Sequence, residues 1–321
     1  SNMIRIGLIV SVIFVFSSCL KEELPIPPHQ QGDLVLGQVE LGTTYGLQIY
    51  YDLATNSVVK INQKTDWDLA FECSTEGWHV ILNSSLAMAA ADMGELDFDQ
   101  ITETAGAEWN WDHQTGELDS TAIGDYRDGN HVYIVDRGYN EMGTQLGYKK
   151  IMLSYIDGVY EIKSANLDGT EEQISVIVKD ASINFQAFSF NSHSAVDIEP
   201  PNSSWDLLFT QYTHIFQNPT MPYLVTGVLL NRYETTCAED EVTSFDAISL
   251  ENVSDFSFMN DLNVIGYDWK SYDGGSGQFT IVEDRNYILK DNLGVYHKLR
   301  FIDYYNDLGE KGAPKFEIQS L

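Results

Sequence analysis

The side chains here that could carry chemistry are seven histidines, three cysteines and an excess of carboxylates, and their spacing excludes most catalysis. No serine sits in a nucleophile elbow, no glycine-rich loop is built to cradle phosphate, and no histidine pair has a zinc-binding interval. His79, His193 and His214 fall in or near strand-like runs without a second ligand at metal-binding spacing. His297, beside Tyr296, reads as a strand-surface residue, and His29 as filler in a proline-rich stretch. Adjacent carboxylates such as Asp97 with Asp99, or Glu239-Asp240-Glu241, follow from composition and mark no acid/base dyad. Cys73 and Cys237 read as two buried thiols; an oxidising compartment permits a bridge between them, but the spacing does not require one. The chain reads as non-enzymatic.

The elements that position these residues come twice. Trp67-Asp68-Leu69-Ala70-Phe71 returns as Trp205-Asp206-Leu207-Leu208-Phe209. Before each lies an aromatic run (47–51, then 185–190), and after each an apolar stretch ending in Asn83 or Asn231. Phe98-Asp99 and Phe245-Asp246 follow, then Ile123-Gly124 and Ile265-Gly266. Next come Asp136-Arg137 and Asp284-Arg285, and at once Leu146-Gly147-Tyr148 and Leu293-Gly294-Val295-Tyr296. So ordered a series indicates an internal duplication. Alternation with period two puts Trp67, Leu69 and Phe71 on one strand face, facing one core, with Asp68 turned the other way towards a neighbouring turn. Short Val-, Ile- and Tyr-rich runs bounded by turn residues favour strands throughout. The exception is the alanine-rich stretch 86–93, which reads as two helical turns or a loop. Residues 98–124 are polar, with Trp109 and Trp111 exposed, and Asp168-Gly169-Thr170 is the expected boundary between a first domain (33–168) and a second (169–321).

A formal charge of −30, with 48 acidic against 18 basic residues, excludes nucleic-acid binding through phosphates and attachment to anionic lipid through a basic patch. Arg5, the apolar run 6–16 and Ser17-Ser18 before Cys19 have the pattern of a secretory signal, residues 1–18. A cysteine at that junction resembles a bacterial lipobox, which implies cleavage before Cys19 and its acylation; the alternative is an ordinary signal with a chance cysteine. Lys21-Glu22-Glu23 looks like the export signal of Bacteroidetes surface lipoproteins, and 19–32 reads as a lipidated cysteine and tether leading to an outward-facing position on the outer membrane.

Trp205-Asp206-Leu207-Leu208-Phe209, the strand ending Leu230-Asn231, Leu299-Arg300-Phe301-Ile302-Asp303-Tyr304 and Phe316-Glu317-Ile318 resemble the HmuY family. The resemblance implies an all-β fold, here two tandem HmuY-like antiparallel domains. It also implies capture of haem or a related tetrapyrrole and delivery to a TonB-dependent outer-membrane transporter. Family ligands imply candidates: His113 and His131, with Trp109 and Trp111 beside the first, and Tyr272 where a family histidine would stand, next to Trp269 and a Gly-rich turn. Met259 is a possible soft axial ligand. No histidine lies between Val225 and Tyr287, a departure from the two-histidine pattern. A second reading therefore stays open, a structural or binding subunit of an outer-membrane complex that takes no haem.

Overall fold

Runs rich in Val, Ile, Tyr and Phe, broken by Gly, Asn and Asp, become strands along the whole chain. The computed structural model describes residues 30–127 and 130–321. The signal 1–18, Cys19 and the tether up to residue 29 lie outside the described residues. The early strands are β1 (Val35–Gln38), β2 (Leu47–Asp52), β3 (Ser57–Gln63), β4 (Leu69–Glu72), β5 (Val80–Leu82), β6 (Ala89–Asp92), β7 (Val132–Asp136), β8 (Tyr148–Ile156) and β9 (Val159–Ala165). Then come β10 (Gln173–Val178), β11 (Phe185–Ser189), β12 (Ser194–Val196), β13 (Leu207–Phe216), β14 (Met221–Leu230), β15 (Thr236–Asp240), β16 (Lys270–Asp273), β17 (Gln278–Ile281), β18 (Asn286–Lys290), β19 (Tyr296–Tyr305) and β20 (Lys311–Ser320). The only helical elements among the described residues are short 3-10 turns.

The strands stack in four layers. Two five-stranded sheets, ordered β1-β20-β19-β18-β15 and β10-β9-β8-β7-β6, lie outside; two four-stranded sheets, β14-β13-β2-β3 and β12-β11-β4-β5, lie between them. Period-two alternation explains the layering. Leu207 and Phe209 of β13 join Ile49 and Tyr51 of β2 in a core with Phe301 and Phe316 of the outer sheet. Leu69 and Phe71 of β4 do the same with Tyr133, Ile151 and Tyr160. The opposite faces, carrying Tyr50, Ala187 and Leu208, meet each other in the middle.

The two sheet pairs have matching order, with three strands exchanged. β4 pairs with β11, and β13 with β2; β9 takes β10 as its edge, and β20 takes β1. Leu69 sits opposite Phe188 and Leu82 as Leu207 sits opposite Tyr51 and Leu230. Polar contacts match as well. Asn83 Nδ2 donates to the Lys64 and Trp67 carbonyls, and Asn231 Nδ2 to those of Asn202 and Trp205. The buried Lys150 ammonium donates to the Phe98 and Ile101 carbonyls, that of Lys298 to the Phe245 and Ile248 carbonyls.

Several expectations change. The sheets do not divide at 168/169: β4 to β12 build one core from a continuous stretch, and β1 to β3 join β13 to β20 in the other. Partner choice at a sheet edge is non-local, so a turn at Asp168 says nothing of it. Trp67 and Trp205 do not share the cores of Leu69 and Leu207. Each ends a 3-10 turn (Lys64–Asp66 or Asn202–Ser204) ahead of its ladder, where alternation no longer applies, and both pack in the central layer. Residues 89–92 form β6, because pairing with β7 outweighs the helix propensity of alanine. Asp136-Arg137 corresponds by register to Lys290-Asp291 rather than to Asp284-Arg285, since Ile134 faces Lys150 as Ile288 faces Lys298. The motif aspartates do bind turns: Asp68 Oδ2 accepts the Phe190 amide at 2.8 Å, and Asp206 Oδ2 that of Leu53 at 2.9 Å. Cys73 and Cys237 are free and buried.

Candidate ligand-binding site

The candidates read from the sequence scatter over the fold. His131 is half-buried just ahead of β7, its Nδ1 2.9 Å from an Asp92 carboxylate oxygen. Tyr272 projects from the small β16–β17 hairpin against Phe279 and is largely exposed. Met259 is exposed and bridges the edge of β15 through Cys237. Trp109 packs on Tyr148 and the satellite core around Val132 rather than standing in solvent. Trp111 is half-buried. Trp269 is buried and stacked on Phe301 with ring centroids 3.8 Å apart. His297 is also interior, its Nε2 2.8 Å from Asp291 Oδ2. Trp109 and His297 lie deeper than the local pattern suggests, because burial depends on which sheet covers a face.

His113 is different. Its loop crosses the central layer and is tied down by backbone contacts: Leu262 donates to the Thr115 carbonyl at 2.9 Å, and the Ile215 amide to Gln114 Oε1 at 3.2 Å. Nδ1 of His113 lies 2.8 Å from Thr115 Oγ1, which leaves Nε2 as the nitrogen open to a ligand. The loop brings His113 into electrostatic range of His214 on β13. Burial lowers the pKa of His214, nearby Asp268 opposes the shift and His113 adds to it, so His214 favours its neutral imidazole. Its buried Nδ1 has no protein partner among the described residues.

The outer part of the β13–β14 hairpin supplies the surroundings. β2 pairs with only the first three residues of β13, 207–209; beyond them the 3-10 turn Ser84–Leu86 packs on the strand, with Thr213 Oγ1 donating to the Ser84 carbonyl at 2.8 Å. Residues directly opposite in an antiparallel pair share a face. Thus His214 sits beside Tyr223, and Phe216 beside Met221. Tyr267 closes the group, 5.2 Å from the His214 ring and 6.2 Å from that of Phe216. Tyr223 and Met221 are exposed. One imidazole, a thioether and three aromatic rings therefore share one accessible face, with His113 in electrostatic range of it, suited to a flat aromatic ligand and to a soft or borderline metal within it. Sequence reasoning passed over His214 because its partner lies 101 residues away. The signal present was the period-two series Tyr212, His214, Phe216 in a strand of strong β-formers.

A family model described as HmuY protein matches residues 44–318, running through both sheet pairs. No curated protein matches the chain. Among solved structures, apo PinO from Porphyromonas gingivitis is 10% identical, covers 90% of this chain and 97% of its own, with a TM-score of 0.31. The Tannerella forsythia apo HmuY analog is 11% identical over 91% of this chain and 98% of its own, TM-score 0.26. A structure described as a putative HmuY_like heme binding protein from Bacteroides vulgatus is 14% identical over 53% of this chain and 90% of its own, TM-score 0.23.

Proposed function

The chain belongs to the HmuY family, and on that premise we propose that it captures haem or a related tetrapyrrole on the outer face of the β13–β14 hairpin. It holds the ligand as a surface lipoprotein anchored through Cys19 and passes it to a TonB-dependent outer-membrane transporter. One observation supports this above the rest: His214 stands beside Phe216, Tyr223 and Tyr267, with His113 in electrostatic range. Neutral imidazole nitrogens are axial ligands for haem iron, and aromatic rings stack on the macrocycle. The lowered pKa of His214 keeps that nitrogen unprotonated and available at neutral pH. Met221, exposed at the hairpin end, offers a thioether as the alternative axial group. The accessible rim suits transfer, since a ligand to be handed on cannot be sealed in a core.

Haemin titration followed by the Soret band tests the reading. The expected result is saturable one-to-one binding, weakened at least about tenfold, ~1.4 kcal/mol, by His113→Ala and by His214→Ala. His131→Ala and Tyr272→Phe leave it unchanged. A featureless titration overturns haem capture and favours a binding subunit of an outer-membrane complex.

A further inference from the structure

Behind the His113 loop, where the two four-stranded sheets face one another, lies a cavity of about 140 Å³. A cavity of ~150 Å³ takes a benzene-sized body, so this one is far too small for a porphyrin, although His113 lines it and it adjoins the hairpin face. Ala70, Ala187, Ile198, Leu208 and Leu229 make its walls apolar. Its polar groups are unequally satisfied. The acceptors are engaged: Asp112 takes the amides of Leu82 at 2.7 Å and Ala122 at 2.8 Å, and Glu199 takes those of Phe185 at 2.9 Å and Asn184 at 3.2 Å together with Asn184 Nδ2 at 2.6 Å. The donors are not. Arg232 donates through Nη1 to the Gly116 carbonyl and lies over the Phe185 ring, 5.2 Å from its centroid, with no carboxylate in ion-pair contact among the described residues. The buried Trp205 Nε1 and Tyr212 Oη, both on lining residues, have no partner there.

Buried donors left without acceptors are costly, and a guanidinium is shaped for two carboxylate oxygens. We infer that this cavity binds a small apolar monocarboxylate of about benzoate's size, its body among the five apolar side chains and its carboxylate on Arg232 and Trp205 Nε1. The neighbouring acids do not forbid it. Burial pushes Glu199 up to about 7 and Asp112 to about 6, so either takes up a proton readily when a further negative charge arrives.

Calorimetric titration of the full chain with sodium benzoate, and in parallel with toluene, tests the inference. Benzoate is expected to saturate at one per chain, with toluene at least about tenfold weaker. Arg232→Met is expected to abolish the preference for the acid while keeping toluene. Trp205→Phe keeps the ring packed edge-on against Tyr50, 4.9 Å between centroids, and removes only Nε1. It is expected to weaken benzoate several-fold, and it decides the matter should the arginine variant fail to fold. No benzoate saturation up to about 10 mM, the outcome for a cavity holding water only, overturns the inference. So does unchanged benzoate affinity in Trp205→Phe together with either an Arg232→Met that does not fold or one that binds benzoate as the native chain does.

Discussion

Buried charges show how differently the two matching motifs are stabilised. Asp68 pairs with Arg137 through Nε at 2.8 Å and Nη2 at 3.2 Å, deep between the sheets, and also accepts the Phe190 amide. Asp206 has no cation in ion-pair contact among the described residues; Leu53, Thr235 and Asn292 donate to it instead, and burial raises its pKa to about 6. Removing one partner of a buried pair strands the other. Arg137→Met is therefore expected to cost about 3–5 kcal/mol in urea unfolding, and a loss below ~1 kcal/mol would show that water solvates Asp68. Glu199 makes the pH prediction. Its folded pKa, raised to about 7 by burial, exceeds the unfolded value, so the folded state binds more protons between about pH 4.5 and 7. Stability from this group is present below that window and is lost as pH rises through it, by roughly 3 kcal/mol at most. Glu199→Gln cannot titrate, and its unfolding free energy should vary less steeply over the window. An unchanged slope would assign the dependence to the other carboxylates that burial raises, Asp112, Asp136, Asp206 and Glu239.

At the level of elements, the candidate face depends on how the 265–269 segment is held against β14. Val228 and Gly266 exchange backbone hydrogen bonds of 2.9 and 3.1 Å, and the buried Lys270 ammonium donates to the Thr226 carbonyl at 2.6 Å. Gly227 permits this approach, because a Cβ there would land on the Gly266 carbonyl. Gly227→Ala should therefore cost about 1–3 kcal/mol and move Tyr267 away from His214, weakening haemin binding in parallel. Loss of stability with unaltered haemin affinity would remove Tyr267 from the site. Strand positions were legible from alternation, as the runs around Ile49, Phe188 and Phe301 show. The membership of His214 in a site was not, because the loop that meets it starts at His113 and reaches β13 only through tertiary contacts.

For the whole molecule, the exchange of β1–β3 against β10–β12 makes a prediction that the local pattern does not. One core is formed by the continuous stretch from β4 to β12, nested between the two parts of the other. A fragment covering 64–200 is expected to fold cooperatively, with dispersed amide resonances. A fragment covering 33–168 lacks β10 and β11, leaves β9 and β4 each with only one of their two partners, and should not. The opposite result would place the folding units at the Asp168 turn. The net charge of −30 keeps the molecule away from nucleic acids.

The sequence by itself determined the all-β character, most of the strands and the recurrence of the Trp-Asp motif. These follow from side-chain alternation, turn residues and spacing, all properties of a few neighbouring positions. Only the tertiary structure decided which core each three-strand unit joins, which way Trp67 and Trp205 face, and that a cavity lined by Arg232 lies between the sheets. The two units carry the same period-two pattern and offer equivalent edges, so nothing local distinguishes their partners. That choice belongs to packing across layers.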